Sequence, residues 1–391
     1  MNTITTGITR LTCLALFLPA VALAQFRSDP SPPALGIGVD TVPVAGWGDR
    51  WKSPVPAIFR RWAEFLGAKT TRYTAPSSAP SPYWSVAEQE RWISFPLALN
   101  FVGTSAVPTV LDIRPAIPGS DSVYVVKTLF QSAGVGRGRQ PLALTRVYAV
   151  RERGVWVFSN VLPRLTGTWQ RKSVGSFDYV FPPGYPFDRA RARRAAAFAD
   201  SVTSAFAMPP LTHIVYYLTE SPDEMNRIIG LDWYPSSTDG GGFSSGPNRL
   251  IVSGNPAVGE DYRHEIVHVA LGPLALQGVH PLLWEGVATW LGGTLGMDAR
   301  AVRAEYAEFL RHHKDITIDS VLNESRPYDQ GYRPAGAVIC QMVFDNGGNA
   351  AVKALLANGY TDTDLRVGLQ HALGKPWTEI QADWRRRSLA P

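Results

Sequence analysis

Two histidines and a glutamate lie within one short stretch of this 391-residue chain, His264-Glu265-Ile266-Val267-His268, which matches the pattern H-E-x-x-H. The stretch has helical character, and histidines four residues apart lie one turn apart on the same face of an α-helix. Two imidazoles placed in this way can bind one zinc ion. Glu265 lies beside them and could take a proton from a zinc-bound water and pass it to a leaving group. The pattern therefore predicts a zinc-dependent hydrolase.

A catalytic zinc ion needs three protein ligands and one open position for water, so the two histidines require a partner. Glu285 is the best candidate, since 16 residues separate it from His268 and it lies on the next predicted helix. Gly286 and Ala288 are small, so we expect the two helices to approach each other closely. Two helices joined by such a connection can pack antiparallel with both ligand faces inward. The predicted metal ligands are therefore His264, His268 and Glu285, around Zn2+.

The elements that must position these residues are indicated by periodicity and by glycine and proline. Before the metal helix we expect a strand over residues 213–218, a helix over 222–229, a glycine-rich loop over 239–246 and a strand over 250–253. Gly272-Pro273 should end the metal helix, and the next helix should begin at Pro281 and end at Gly292-Gly293. An earlier helix should begin after Asp188, and the chain from Asp298 onward is mostly helical by period.

The first half of the chain has a different pattern. Two short helices are expected over residues 56–66 and 86–95, followed by strands over 122–130, 144–150, 155–162 and 177–181. This order resembles the two-helix and curved antiparallel sheet domain of nuclear transport factor 2-like proteins, although no motif supports the resemblance. The predicted fold class is therefore α+β, with a signal peptide over residues 1–24, an α+β domain over 25–185 and a mostly helical metal domain with a small edge sheet over 187–391.

The motif H-E-x-x-H followed by W-E-G-x-A, at residues 264–268 and 284–288, resembles the gluzincin zinc metallopeptidases. This family includes thermolysin-like enzymes and zinc aminopeptidases. The resemblance implies a peptidase that cleaves peptide or protein substrates, with Glu265 as the acid and base. It also implies a tyrosine that stabilises the oxyanion of the transition state. Tyr332 is the candidate for this catalytic role, and Tyr328 is the alternative.

Two features of this chain depart from the family pattern. Aminopeptidases of the family carry a glutamate in the glycine-rich loop that holds the free amine of the substrate, and this sequence has none there, which favours an endopeptidase. Thermolysin-like members have an aspartate four residues after the third ligand, where this chain has Thr289. The group that orients a ligand histidine must therefore be different here, either Thr289 itself or a backbone carbonyl.

Two other functional interpretations remain open. The chain could be a binding or scaffold protein that keeps zinc but does not catalyse. It could also be a serine hydrolase that uses Ser244, because residues 242–246 match G-x-S-x-G. This second alternative is weak because a nucleophile elbow needs a strand before it and a helix after it.

Composition and the N-terminal residues limit the remaining possibilities. The hydrophobic content of 45% is typical of a globular protein, and the net charge of +5 comes without a nucleic-acid motif, so no nucleic-acid partner is expected. Arg10, the apolar run that follows it and Ala22-Leu23-Ala24 predict a signal peptide cleaved after Ala24. We therefore expect a secreted or periplasmic protein without a stable membrane anchor. Cleavage would leave Cys340 as the only cysteine, which excludes an internal disulfide.

Overall fold

The computed structural model describes residues 54–69, 82–90, 106–132, 139–234, 241–245, 249–275, 278–322 and 331–390. The strands are β1 (Val107–Pro115), β2 (Val123–Gln131), β3 (Pro141–Glu152), β4 (Val155–Ser159), β5 (Gln170–Val174), β6 (Phe177–Phe181), β7 (Ile214–Leu218), β8 (Leu231–Trp233), β9 (Gly242–Ser245) and β10 (Leu250–Ser253). The helices are α1 (Val55–Lys69), α2 (Val86–Glu90), α3 (Leu162–Leu165), α4 (Arg189–Ala205), α5 (Pro222–Ile229), α6 (Arg263–Ala270), α7 (Gly272–Ala275), α8 (Pro281–Gly292), α9 (Ala299–His312), α10 (Ile318–Leu322), α11 (Tyr332–Leu356), α12 (Asp362–Leu373) and α13 (Trp377–Leu389). In the part of the chain that the structure describes, no helix combines the length and apolar character needed to cross a membrane. The predicted signal peptide lies outside the described residues.

The first sheet is antiparallel and has the strand order β1-β2-β3-β4, with β8 pairing with β3 as well. β3 and β4 are joined by a two-residue turn in which Arg153 and Gly154 both have positive φ, 49° and 83°. This is the turn geometry that fits the twist of a two-residue hairpin. β2 and β3 also pair antiparallel.

Helix α1 packs on this sheet through large aromatic side chains. Trp62, Phe65, Trp84 and Phe158 are almost fully buried. The indole of Trp62 is 4.8 Å from the ring of Phe158, and its Nε1 donates a hydrogen bond to Thr128 Oγ1 on β2 at 2.9 Å. The polar end of a buried indole therefore has a partner in the sheet. This apolar core is distinct from the one around the predicted metal helix.

The second sheet is mixed and has the order β5-β6-β7-β10-β9, with β6, β7 and β10 parallel and the two outer strands antiparallel to their neighbours. It takes β5 and β6 from the part of the chain before residue 185, whereas β8 from the later part joins the first sheet. The division between the sheets therefore differs from the predicted boundary at 185–187, and the second sheet is larger than the small edge sheet expected. β5 had no predicted counterpart because most of its side chains are exposed and lack apolar alternation.

The segment around the glycine-rich loop also differs from the expectation. Residues 242–245 form the edge strand β9, antiparallel to β10. Gly242 provides the space for this strand, because a Cβ there would overlap the ring of Tyr262. The backbone of β9 therefore runs directly past the residue that precedes helix α6.

The helices after β10 pack into a separate core made mainly by α8, α11, α12 and α13. Asp188 caps α4, Pro281 is the first residue of α8, and Gly293 follows its last residue, as expected. Helix α6 ends at Ala270, close to the expected stop, although a further short helix, α7, begins at Gly272. In α11 the helical backbone angles are interrupted at Gly347 and Gly348.

Candidate metal centre

Helix α6 presents both histidines of the motif on one buried face. The His264 and His268 rings lie 4.8 Å apart in an edge-to-face arrangement. The loop before this helix is fixed to the second sheet, because Tyr216 donates to the Gly259 carbonyl and accepts from the Tyr262 amide, at 2.7 Å and 3.1 Å. The start of the metal helix is therefore held by backbone hydrogen bonds to a buried tyrosine.

Helix α8 brings Glu285 against these two rings. The His264 Nε2 atom lies 3.3 Å from Glu285 Oε2, and the His268 Nε2 atom lies 3.5 Å from Glu285 Oε1. One ligand atom from each of the three residues can be chosen so that all lie within 4.8 Å of one another. With bonds of about 2.0 to 2.1 Å, the ligand atoms of a tetrahedral zinc ion are about 3.3 Å apart. The two histidine–glutamate separations, each to a different oxygen of Glu285, are close to this value.

The hydrogen bond of His264 gives an independent test of this fit. Its Nδ1 atom lies 2.8 Å from the Gly293 carbonyl oxygen, which can only accept, so Nδ1 carries the hydrogen. Nε2 then faces the Glu285 carboxylate either as N–H, donating a hydrogen bond to it, or as a lone pair that can bind a metal ion. A proton or a metal cation between these two groups satisfies both of them. The donor set and its orientation therefore suit a divalent metal ion.

The close approach of the helices depends on two glycines in α8. A Cβ at Gly292 would overlap the backbone at Arg263 and His264, so Gly292 is where α8 meets the metal helix. A Cβ at Gly286 would overlap the backbone of Gly336 in α11. The expectation that Gly286 makes room for α6 was wrong, because that glycine faces α11 instead.

The group that orients His264 is the backbone carbonyl of Gly293, one of the two alternatives considered. Gly293 has φ of +73° and ψ of −160°, a conformation that a residue with a side chain rarely adopts. Thr289 does not play the orienting part, since its buried Oγ1 has no hydrogen-bond partner. The ring of His268 stacks on Trp284 at 4.8 Å, and its Nδ1 is also without a partner.

Glu265 lies on the same helix and is buried. Its Oε2 atom accepts a hydrogen bond of 2.7 Å from Ser244 Oγ on β9. Ser244 lies within a strand, and the next element among the described residues is the strand β10, so the described residues on either side of it do not form the strand, turn and helix of a nucleophile elbow. The serine hydroxyl is directed to a carboxylate that belongs to the metal motif.

Arg333 was not among the predicted site residues, and it contacts the centre directly. Its Nε atom donates to Glu285 Oε2 at 2.8 Å, and its Nη1 atom donates to Thr294 Oγ1 at 3.0 Å. Burial raises the pKa of the Glu285 carboxyl, but the Arg333 guanidinium and the two imidazoles outweigh this effect and hold that pKa well below its usual range. No spacing rule could have identified Arg333, which is 48 residues from Glu285.

Of the two tyrosine candidates for the oxyanion donor, the structure describes only Tyr332. Tyr332 is the first residue of α11, next to Arg333, and it is buried within the helical core. Tyr328 lies outside the described residues. The role of either side chain in stabilising an oxyanion stays a prediction.

Comparisons with protein-family models and with curated proteins gave no match. Among solved structures, the chain is similar to an M1 zinc metallopeptidase from Deinococcus radiodurans, with 16% identity, coverage of 73% of this chain and 64% of that one, and a TM-score of 0.35. The chain is also similar to a mutant M1 zinc metallopeptidase from the same organism, bound to a Tyr-Ser-Ala substrate. The identity is 15%, the match covers 73% of this chain and 62% of that one, and the TM-score is 0.35. Aminopeptidase A from Legionella pneumophila, in complex with aspartic acid, has 11% identity. That match covers 71% of this chain and 34% of that one, with a TM-score of 0.32. The chain thus spans less than two thirds of the length of these proteins, and at these values membership of their families is not shown.

Proposed function

We propose that this protein is a zinc-dependent peptidase in which His264, His268 and Glu285 bind the metal ion. The main support is the geometry of the three side chains, which offer one ligand atom each within 4.8 Å of one another and have histidine–glutamate separations of 3.3 and 3.5 Å. A buried glutamate on the same helix, Glu265, supplies the carboxylate that hydrolysis requires. A bound zinc ion would supply Lewis acidity toward a substrate carbonyl and a lowered pKa for water.

Each of the surrounding side chains has a role in this proposal. Glu265 accepts the proton of the attacking water and donates it to the leaving amine. Ser244 holds one carboxylate oxygen of Glu265 and so restricts the rotation of that side chain. Tyr332 is the proposed hydrogen-bond donor to the oxyanion.

The proposed substrate is an extended peptide segment, cleaved internally. Among the described residues, β9 pairs with β10 and lies at the edge of the second sheet, so its other edge can pair with a peptide backbone. Ser244 places this strand beside Glu265. The absence of a glutamate from residues 239–246 supports an endopeptidase.

Metal analysis combined with a digestion assay tests the proposal. Purified protein should contain one zinc ion per chain and cleave an unfolded protein, and 1,10-phenanthroline should abolish cleavage until zinc is restored. His264→Gln should lose both zinc and activity. The matched control is His371→Gln, because His371 is an exposed histidine on α12, and this variant should retain both.

The outcome also separates the alternatives. Stoichiometric zinc without cleavage of any peptide in a diverse library would favour a catalytically inactive scaffold protein. Activity that resists the chelator and is abolished by a fluorophosphonate would favour a serine hydrolase. Either result would contradict the proposed peptidase.

A further inference from the structure

We infer that Arg333 is a positioning residue that fixes the Glu285 carboxylate for the metal ion, an inference that rests on the proposed zinc centre. The guanidinium contacts two groups at once, Glu285 Oε2 at 2.8 Å and Thr294 Oγ1 at 3.0 Å. A planar guanidinium with two anchored nitrogens has little freedom to turn. It therefore also restricts the carboxylate that it holds.

The contacts of Glu285 distinguish its two oxygen atoms. Oε2 lies against both Arg333 and His264, whereas Oε1 lies 3.5 Å from His268 Nε2 and has no contact with the guanidinium. A carboxylate held through one oxygen by an arginine presents the other oxygen in a defined direction. This arrangement fixes the direction in which the two oxygens of Glu285 face the two histidines.

The backbone crossing of two helices determines where Arg333 lies. Gly286 follows Glu285, and Gly336 follows Arg333 by three residues, and the two glycines are in backbone contact. Because neither has a side chain, α8 and α11 come close enough for Arg333 to reach Glu285. Arg333 also has a side chain that is only 24% exposed, so its charge needs a partner within the protein.

The segment after α8 connects this arrangement to the other ligand helix. The Gly293 carbonyl accepts from His264, and the next residue, Thr294, accepts from Arg333. Two consecutive residues thus hold a ligand histidine directly and a ligand glutamate through Arg333. The positions of the two ligands are therefore coupled through three hydrogen bonds and the peptide bond between Gly293 and Thr294.

The sign of the effect on zinc affinity separates positioning from charge. A positive side chain repels a cation, so removing the charge alone would strengthen zinc binding. Loss of a group that orients a ligand instead weakens zinc binding by about 10- to 100-fold. Zinc dissociation constants, measured by competition with a chromophoric chelator, therefore test the inference in the metal-binding step without reference to activity.

We expect Arg333→Met to weaken zinc binding about 10- to 100-fold. Thr294→Val, which keeps the shape but removes the acceptor, should weaken it several-fold, and Arg333→Lys should give an intermediate value because lysine cannot hold both partners. Arg300→Met is the control, since Arg300 is an exposed arginine on α9, and it should leave the affinity unchanged. Unchanged or tighter zinc binding in Arg333→Met would overturn the inference. If that variant does not fold, unchanged affinity in both Arg333→Lys and Thr294→Val would overturn it instead.

A double-mutant cycle separates positioning from loosened helix packing. If Arg333 acts through Glu285, Arg333→Met should have little further effect on zinc affinity in the Glu285→Gln background. An equal loss in both backgrounds would mean that Arg333 acts through the packing of α8 and α11, against the inference. If the wild-type protein and Glu285→Gln bind zinc equally, the proposed function itself fails. If only the Arg333 and Thr294 variants have no effect, the zinc centre stands and the inference alone is wrong.

Discussion

Two carboxylates, the buried Glu88 and the partly buried Glu285, lie in different halves of the chain and have different surroundings. Glu88 accepts hydrogen bonds from three uncharged groups, Ser159 Oγ, the Asn160 amide and Asn160 Nδ2, at 2.9 to 3.0 Å. Glu285 is surrounded by two imidazoles and a guanidinium, while the nearby His268 Nδ1 and Thr289 Oγ1 have no partner. A network of neutral donors around a carboxylate stabilises a fold. An excess of ligand and charged groups around one indicates a binding site.

The strongest test of this contrast is the substitution of Glu265, the carboxylate at the proposed reaction centre. Glu265→Gln should lower kcat by about 10²- to 10⁴-fold, because an amide cannot accept the proton. The zinc content should remain one ion per chain, since no ligand is removed. Full activity in this variant would contradict the role assigned to Glu265.

Matched substitutions of the two contrasting carboxylates test the comparison directly. Glu285→Gln should weaken zinc binding by more than about 100-fold, since loss of an orienting group alone costs 10- to 100-fold. Glu88→Gln should keep its zinc and lose about 1 to 3 kcal/mol of unfolding free energy, because the amide nitrogen that replaces one carboxylate oxygen cannot accept a hydrogen bond. Zinc titration of both variants measures the change in affinity, and urea denaturation of both measures the change in stability. Equal zinc affinity in the two variants would break the contrast.

Tyr332 is buried in the helical core, so its surroundings alone would group it with the structural side chains. If it donates to the oxyanion, Tyr332→Phe should lower kcat by about 10²-fold while KM changes little. Tyr328→Phe is the paired variant. A decrease confined to Tyr328→Phe would transfer the role to that residue, and a decrease in stability alone would make Tyr332 a packing residue.

Substitution of Ser244, at the edge of the metal centre, should have a smaller effect on activity. Ser244→Ala removes one hydrogen bond to the Glu265 carboxylate, worth about 1.5 kcal/mol or more, so kcat should decrease roughly 10-fold. Complete loss of activity, together with labelling of the wild-type serine by a fluorophosphonate, would instead identify a nucleophile. Steady-state kinetics with intact zinc content distinguish these results.

The smallest expected effect is on the pH dependence of stability in the zinc-free protein. Because Arg333 and the imidazoles outweigh burial and hold the pKa of Glu285 well below its usual value, ionised Glu285 stabilises the folded state. That contribution should be complete above the unfolded pKa of about 4.3 and should disappear as the pH falls through the lower folded pKa. Urea denaturation from pH 7 to pH 3 should show this loss in wild type relative to Glu285→Gln. Parallel pH profiles of stability in the two proteins would contradict a stabilising role of ionised Glu285.

Local sequence signals predicted much of the arrangement. Pro281 and the Gly292-Gly293 pair fixed the ends of α8, and Asp188 marked the start of α4, because proline, glycine and capping side chains act on their own backbone. The spacing of His264 and His268 placed both rings on one face for the same reason. The close arrangement of these histidines with Glu285 followed from the motif and the adjacent helix.

Non-local contacts could not be predicted in this way. Arg333 meets Glu285 only because α11 crosses α8, and nothing near either residue in the sequence reports that crossing. β8 returns to pair with β3, although about 80 residues separate the two strands, since hydrogen bonding to a sheet edge carries no local signal. Gly286 was assigned to the wrong neighbour because a small residue shows that something comes close without showing what it is.

The contact between Gly286 and Gly336 makes the centre vulnerable at positions that have no functional group. A single methyl group at either glycine would force the two backbones apart and separate Arg333 from Glu285, although every ligand and the catalytic base would be unchanged. Among natural or engineered variants of this chain, an intact set of ligand residues is therefore not a sufficient criterion for an intact metal centre. The absence of side chains at these two positions belongs to the criterion as well.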